Sequence, residues 1–155
     1  MKTQLLICSW TALFDTHNFV ERSGAVDLLK SALRNNLEVV IVNCDDNVNN
    51  YQQTYNELGE ELDRSGFKDR RMSVLKEYYL DRVSIKHFAE STKVPPESII
   101  YIDTVYLNAM DMKDLGMSAI CIDDTMNKHH YSNGEPYIVH SPSKAGEMIT
   151  KICSS

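Results

Sequence analysis

Short, almost continuously apolar runs alternate with amphipathic stretches along most of this chain. The clearest run is 37–42 (Leu-Glu-Val-Val-Ile-Val), which is rich in β-branched residues, as expected for a strand buried on both faces. Amphipathic segments separate such runs, and in the segment 21–35 the residues Val26, Leu29 and Leu33 recur at helical spacing. This alternation of strands and helices is typical of an α/β fold with a parallel sheet.

The boundaries of the predicted elements follow from these patterns and from glycine, proline and asparagine breaks. Predicted strands cover 4–10, 37–42, 98–103, 118–122 and 137–140, and predicted helices cover 21–35, 47–64, 84–93, 105–115 and 143–153. The run 73–75 is compatible with an extra edge strand or with the start of another helix. With 155 residues, 43% of them hydrophobic, the chain is expected to form a single domain over 1–155.

Charge and hydropathy argue against two classes of partner. The formal net charge is -6, and the densest basic cluster is only Lys68-Asp69-Arg70-Arg71. We therefore expect no nucleic-acid partner and no membrane partner. No segment approaches the roughly 18 apolar residues of a membrane span, and the apolar run 5–7 is too short for the core of a signal peptide.

The cysteines are widely spaced and form no C-x-x-C or zinc-finger pattern. They are Cys8, Cys44, Cys121 and Cys153. We expect them to be reduced thiols in a cytosol-like compartment. The sequence therefore predicts a soluble, cytoplasmic protein, and secretion by a route that needs no cleaved signal is the alternative.

Polar or unusual residues follow the predicted strands at their carboxyl ends, which is the edge of a parallel sheet where ligands bind. These residues are at 8–10, 43–46, 103–104 and 123–124. We expect them to converge in one crevice.

The stretch 5–16 (Leu-Leu-Ile-Cys-Ser-Trp-Thr-Ala-Leu-Phe-Asp-Thr) resembles the first motif of the haloacid dehalogenase (HAD) superfamily. In that family an apolar strand ends in Asp-x-Asp-Gly-Thr-Leu. Here Cys8 stands at the first Asp, Trp10 at the second, Thr11 at the Gly and Ala12 at the Thr. The motif is retained in outline, but its carboxylates are absent.

A second stretch, 93–108, carries the resemblance across most of the chain. It reads Lys-Val-Pro-Pro-Glu, an apolar strand, Asp103-Thr104 and then Asn108, and it leads to Leu-Gly-Met at 115–117. The family has Val-Pro-Pro-Glu, a strand, Asp-Asp-x-x-x-Asn and a helix that ends in Leu-Gly-Met. The resemblance implies a capless or minimally capped three-layer α/β/α sandwich, with a parallel Rossmann-like sheet and the first strand at its centre.

The resemblance also indicates what the chain has lost. In active members the first Asp attacks phosphorus and the second exchanges protons with the leaving group. A Ser or Thr and a Lys neutralise the phosphoryl oxygens, and the third-motif Asp holds Mg²⁺. The corresponding positions here are Cys8, Trp10, Asn43, Tyr79 (with Lys76 nearby) and Asp103, and Asn108 completes the third motif. Only the last two match, so the resemblance implies a vestigial site without an aspartyl-phosphate pathway.

Each vestigial residue has two interpretations. Cys8 is either a packed thiol, which we favour, or a reactive one. The phosphate-binding loop of cysteine phosphatases needs an Arg six residues after the cysteine, and this chain has Phe14 there, which argues against a reactive thiol. Trp10 either fills the former phosphate pocket, which we favour, or is an exposed anchor for a partner.

The metal-binding interpretations are the weaker ones. Asp103 is expected to be a solvated or helix-capping residue, and the alternative is a cation, Mg²⁺ in this family, held together with Asp45 or Asp46. Asn108 is expected to bond the loops at the strand ends. One cluster contains residue types that commonly bind metals, namely His129, His130, His140, Asp123 and Asp124. We expect this segment to form a solvated loop instead. No cofactor is expected.

Three functions remain in order of preference. The first is a catalytically inactive HAD-like protein that acts as a binding, regulatory or scaffolding module, with a protein partner or a second copy as ligand. The second is a divergent hydrolase or phosphatase with altered chemistry. The third is a sensor that binds a phosphorylated small molecule without turnover.

Overall fold

The structure, a computed structural model, describes residues 2–15, 20–43, 51–75, 82–123 and 136–154. In chain order the elements are β1 (Leu5–Ser9), α1 (Trp10–Leu13), β2 (Phe14–Asp15), β3 (Val20–Glu21), α2 (Ala25–Arg34), β4 (Glu38–Val42), α3 (Tyr51–Arg64), β5 (Met72–Val74), α4 (Arg82–Ser91), a 3₁₀ turn (Pro96–Ser98), β6 (Ile99–Asp103), α5 (Tyr106–Asp114), β7 (Ser118–Ile122), β8 (Tyr137–Val139) and α6 (Pro142–Cys153).

The main sheet has six parallel strands in the order β5, β4, β1, β6, β7, β8. Strand β1 lies in its interior, where Ile7 is opposite Val40 on one side and Tyr101 on the other. All five residues of β1 are buried, which explains why its sequence is apolar almost without interruption. The predicted parallel sheet and the central position of the first strand are confirmed.

Helices cover both faces of this sheet, because alternate residues of a strand point to opposite sides. One apolar cluster joins Cys8, Ile41 and Ile102 to helices α2, α3 and α6. A second cluster joins Ile7 and Tyr101 to helices α4 and α5. The architecture is the three-layer α/β/α sandwich that the sequence predicts.

The segment after β1 differs from the prediction. Trp10, predicted as the end of the first strand, begins α1, and the helix predicted from residue 21 begins at Ala25. Glu21 instead pairs with Phe14 in the small antiparallel sheet of β2 and β3. Gly24 has a φ of 90°, in the left-handed region, so the right-handed helix begins only after it.

The remaining predicted boundaries are close to those observed. Residues 73 and 74 of the run 73–75 belong to an edge strand, β5, which pairs with β4, so the alternative of a helix start is wrong. Residues 47–50 of the predicted helix 47–64 lie outside the described residues. Within the described ranges, no helix is long and apolar enough to cross a bilayer.

Helices α2 and α6 approach each other closely at Gly146. A Cβ atom at this position would lie 2.9 Å from Ser31 Oγ and 3.1 Å from Leu28 Cα, and the second of these atoms is backbone. We expect Gly146→Val to lower the free energy of unfolding by about 1–3 kcal/mol through overpacking. Urea denaturation followed by circular dichroism measures the change.

Lys151→Val is the matched control, because Lys151 is an exposed residue of the same helix. It should lower the free energy of unfolding by less than about 1 kcal/mol, the cost of a β-branched residue in a helix. A Gly146→Val protein as stable as the wild type would contradict close packing of α2 on α6.

Candidate functional site

The carboxyl ends of β1, β4 and β6 bring the positions around Cys8, Asn43 and Asp103 to one edge of the sheet. Cys8 is opposite Ile102, the residue before Asp103. Ser9 is opposite Val42, so Asn43 follows directly beside it. The predicted convergence is therefore observed for these positions. Residues 44–46 and 124, which the prediction also placed here, lie outside the described residues.

Asp103 ends strand β6 and is only 1% exposed. Its Oδ1 atom accepts hydrogen bonds from the backbone N–H groups of Thr104 (2.7 Å) and Val105 (3.0 Å). Its Oδ2 atom accepts from the hydroxyl of Tyr101 (2.6 Å) and the amide of Asn108 (3.2 Å). The expectation of a solvated carboxylate is wrong. The helix-capping expectation is also not met, because Asp103 bonds the turn before α5 and the N-cap residue of that helix is Val105, which has no side-chain capping bond.

A chain of hydroxyl groups connects β1 to the same turn. Ser9 Oγ lies 2.8 Å from Thr11 Oγ1, and Thr11 Oγ1 lies 2.8 Å from Thr104 Oγ1. The guanidinium Nε of Arg22 donates to the carbonyl of Thr11 at 2.7 Å, which attaches the β2–β3 hairpin to this region. The edge therefore carries a continuous polar network.

Cys8 is fully buried in the middle of the sheet, with its Sγ 3.6 Å from the carbonyl oxygen of Ser9. Burial, and secondly the negative charge of Asp103, raise the pKa of the Cys8 thiol well above its usual range. The same two causes raise the pKa of Tyr101, which is also hydrogen-bonded to Asp103. Near neutral pH both groups are protonated, so Tyr101 is a donor and Cys8 is not a thiolate.

Trp10 begins α1 and is 3% exposed, so the alternative of an exposed anchor is wrong. Its ring stacks at 4.1 Å, tilted by 32°, on the ring of Phe14. Trp10 belongs to the apolar cluster on the side of α2, α3 and α6. Asp103 shares its side of β6 with Tyr101, which faces α4 and α5. The indole therefore fills core space beside the edge.

The other predicted positions have mixed outcomes. Asn43 is half-buried with a φ of 59°, a left-handed conformation that asparagine tolerates better than most residues. Asn108 joins α5 to the end of β6 through Asp103. His140 contacts the backbone carbonyl of Asp123 at 2.9 Å, so it links two strand ends. Outside the described residues lie Asp45, Asp46, Lys76, Tyr79, Asp124, His129 and His130.

Sequence reasoning did not single out Tyr101 or the bond between Thr11 and Thr104. A signal for Tyr101 was present, because it precedes Asp103 by two residues on a strand and so shares its face. The signal for the two threonines was weaker: both depart from the family pattern, one in each motif. The 93 residues between them hide their contact from any local pattern.

The described residues do not fit the Mg²⁺ ion that the resemblance implies. A carboxylate offers about four acceptor positions, and Asp103 already receives four donors from the protein. A neutral thiol at Cys8 is a poor substitute for the second hard oxygen ligand that Mg²⁺ prefers. Within the described ranges, no group of three His, Cys, Asp or Glu residues is placed to hold a metal.

Comparison with known proteins relates this geometry to one group of folds. No family model and no curated protein matches the sequence. Among solved structures, the D,D-heptose 1,7-bisphosphate phosphatase from B. bronchiseptica, complexed with magnesium and phosphate, matches with a TM-score of 0.63 and 8% identity, over 96% of this chain and 99% of its own.

Two further structures extend the comparison. An L-2-haloacid dehalogenase gives a TM-score of 0.61 at 10% identity, over 96% of this chain and 99% of its own. A HAD-superfamily hydrolase from Ehrlichia chaffeensis gives 0.55 at 10% identity, over 98% of both chains. The chain has the fold of HAD-superfamily hydrolases and dehalogenases, which confirms the resemblance of the two motifs at the level of fold.

The burial of the cysteines predicts their relative reactivity. Burial, followed by the charges of Asp103 and Asp123, raises the pKa of Cys121 to about 12. Since the thiolate is the nucleophile, its fraction at Cys121 should grow only as the pH approaches that value. Cys153 is half-buried on α6. We expect iodoacetamide at about pH 8 to modify Cys153 much faster than Cys8 or Cys121.

Peptide mapping by mass spectrometry measures the three rates in the folded protein. In urea the same cysteines should react at similar rates, which controls for the chemistry of the reagent. If Cys8 reacts first in the folded protein, the packed-thiol interpretation is wrong.

Proposed function

We propose that this protein is a catalytically inactive member of the HAD fold and acts as a binding, regulatory or scaffolding module. The observation that carries the proposal is the state of Asp103. The single family carboxylate retained at this edge is 1% exposed and receives four internal hydrogen bonds. A phosphotransfer site needs its carboxylates directed at a metal ion and a substrate.

The neighbouring positions support the same proposal. A nucleophile must be ionised and accessible, and the thiol of Cys8 is neither near neutral pH. The indole of Trp10 cannot exchange protons near neutral pH and is packed on Phe14. Loss of the nucleophile and of the acid/base group together removes both halves of the aspartyl-phosphate mechanism.

A phosphatase assay tests the proposal. Purified protein should hydrolyse neither p-nitrophenyl phosphate nor a panel of phosphorylated metabolites above background in the presence of Mg²⁺. Because Asp103→Ala removes a buried charge and four hydrogen-bond acceptor contacts, Asn108→Ala is a milder second control, and circular dichroism checks that both variants fold. Turnover that depends on Mg²⁺ and disappears in Asp103→Ala would overturn the proposal.

A divergent hydrolase is the second candidate, and the fold comparison is the observation that favours it. The phosphatase and dehalogenase structures match 96% of this chain, so the framework that positions a HAD active site is present. The same assay separates the two candidates, since the hydrolase predicts turnover. A thermal-shift screen with the same metabolites would reveal the phosphate sensor, which binds without turnover.

We propose a second copy of this chain as the binding partner, through the surface between α4 and α5. Large apolar side chains are exposed there, with Val83 at 60% and Leu107 at 61%. A groove of about 270 Å³ beside them is lined by Val83, Lys86, Asp111, Met112 and Leu115. Leu107 precedes Asp111 by one helical turn and so lies on the same side of α5.

Charge supports a second copy over an unrelated protein. The groove carries one cation, Lys86 on α4, and one anion, Asp111 on α5. Because these two charges cancel, two copies can bring this largely apolar surface together without net repulsion, as a two-fold contact requires.

We also propose that the protein works in a reducing, cytoplasmic compartment. The free thiols of Cys8, Cys121 and Cys153 support this proposal.

Oligomeric state tests the proposed interface. Sedimentation equilibrium should show a concentration-dependent dimer that Leu107→Ser weakens by about tenfold or more, as expected for the loss of a buried apolar anchor. Tyr137→Ser is the matched control, because Tyr137 is 49% exposed on β8, outside the groove. A strictly monomeric wild type, or a dimer disrupted only by Tyr137→Ser, would rule out this surface.

A further inference from the structure

Two departures from the family pattern contact each other directly. Thr11 stands where the resemblance expects the Gly of the first motif, and Thr104 stands where it expects the second Asp of the third motif. Their hydroxyl oxygens are 2.8 Å apart. Thr104 also donates its backbone N–H to Asp103, so the contact continues into the carboxylate's own hydrogen bonds.

We infer that Thr11, Thr104 and Asp103 form a cation-free clasp that joins the ends of β1 and β6, at the place where active members of the fold bind Mg²⁺ between the same two motifs. The inference goes beyond the proposed function. A binding protein could retain Mg²⁺ at Asp103, and a clasp without Mg²⁺ leaves open what the protein binds.

The carboxylate side of the clasp is saturated. The donors to Asp103 come from three directions: Tyr101 from the strand itself, two backbone N–H groups from the turn, and Asn108 from the first turn of α5. These donors match the approximate number of acceptor positions on a carboxylate. A cation that approached Asp103 would have to displace at least one of these hydrogen bonds in a site that is 1% exposed.

The hydroxyl side of the clasp makes the connection between strands. Thr11 bonds Ser9 at the end of β1 and Thr104 at the end of β6, both at 2.8 Å. Its carbonyl also accepts from Arg22 of the hairpin at 2.7 Å. Neutral hydrogen bonds between hydroxyl groups therefore connect the two motifs, and no carboxylate takes part in this connection.

The first experiment asks whether a cation binds. Mn²⁺ is the probe, since it shares the oxygen preference of Mg²⁺ and its free concentration can be read by electron paramagnetic resonance. Wild-type protein should show no saturable binding that depends on Asp103. Saturable binding that is lost in Asp103→Asn would overturn the inference, whereas no binding, or binding unaffected by this substitution, supports it.

The second experiment asks whether the threonines act as a pair. Thr11→Val and Thr104→Val keep the side-chain shape and remove the hydroxyl, and each should raise the unfolding equilibrium constant by about three- to tenfold. Because they share one contact, the second substitution should cost markedly less once the first is present. Strictly additive effects in the double variant would overturn the clasp.

Thr92→Val is the control for additivity. Thr92 bonds the carbonyl of Ala89 after α4 and shares no partner with Thr11, so the effects of Thr11→Val and Thr92→Val should add. The whole cycle is repeated with Mg²⁺ present. Unchanged denaturation midpoints support a clasp that needs no cation, and stabilisation by Mg²⁺ that vanishes in Asp103→Asn overturns it.

Discussion

A carboxylate buried at the end of an interior strand must have its hydrogen-bonding capacity met from within the protein, and this requirement organises the carboxyl edge of the sheet. An unpaired buried charge would cost several kcal/mol. Asp103 avoids that cost through donors whose positions follow from geometry. The two-residue period of β6 places Tyr101 on its face, and the first turn of α5 brings Asn108 within reach.

The charge on Asp103 also contributes to the state of its neighbours. Burial, and secondly this charge, raise the pKa values of the Cys8 and Cys121 thiols and the Tyr101 hydroxyl, so these groups are protonated near neutral pH. The resemblance implies that active members of the family gather several carboxylates at this edge and offset their charge with a cation. Among the residues described here the edge retains one buried carboxylate, and neutral donors are sufficient to stabilise a single charge. Under the proposed function, one difference in charge accounts for two features: Cys8, Trp10 and Thr104 stand where the resemblance expects carboxylates, and Asp103 fits Mg²⁺ poorly.

The fold could be predicted from the sequence because strands buried on both faces, such as residues 38–42, leave an uninterrupted apolar signal. The hairpin after β1 could not, since its strands have two residues each and no period can be read from two residues. The edge was predicted in part. Positions at strand ends converge by topology, whereas the bond between Thr11 and Thr104 and the direction of the Trp10 ring depend on long-range packing.

The carboxyl edge of the sheet and the proposed binding surface are linked through one helix. The two apolar clusters stabilise the fold, so the side chains at the polar carboxyl edge can differ between proteins while the sheet and its helices stay the same. Asp103 binds the backbone N–H groups of the turn that leads into α5. Helix α5 then exposes Leu107 at the proposed surface and borders its groove with the half-buried Asp111. In this arrangement the carboxylate that holds Mg²⁺ in active members would instead orient the helix that meets a partner.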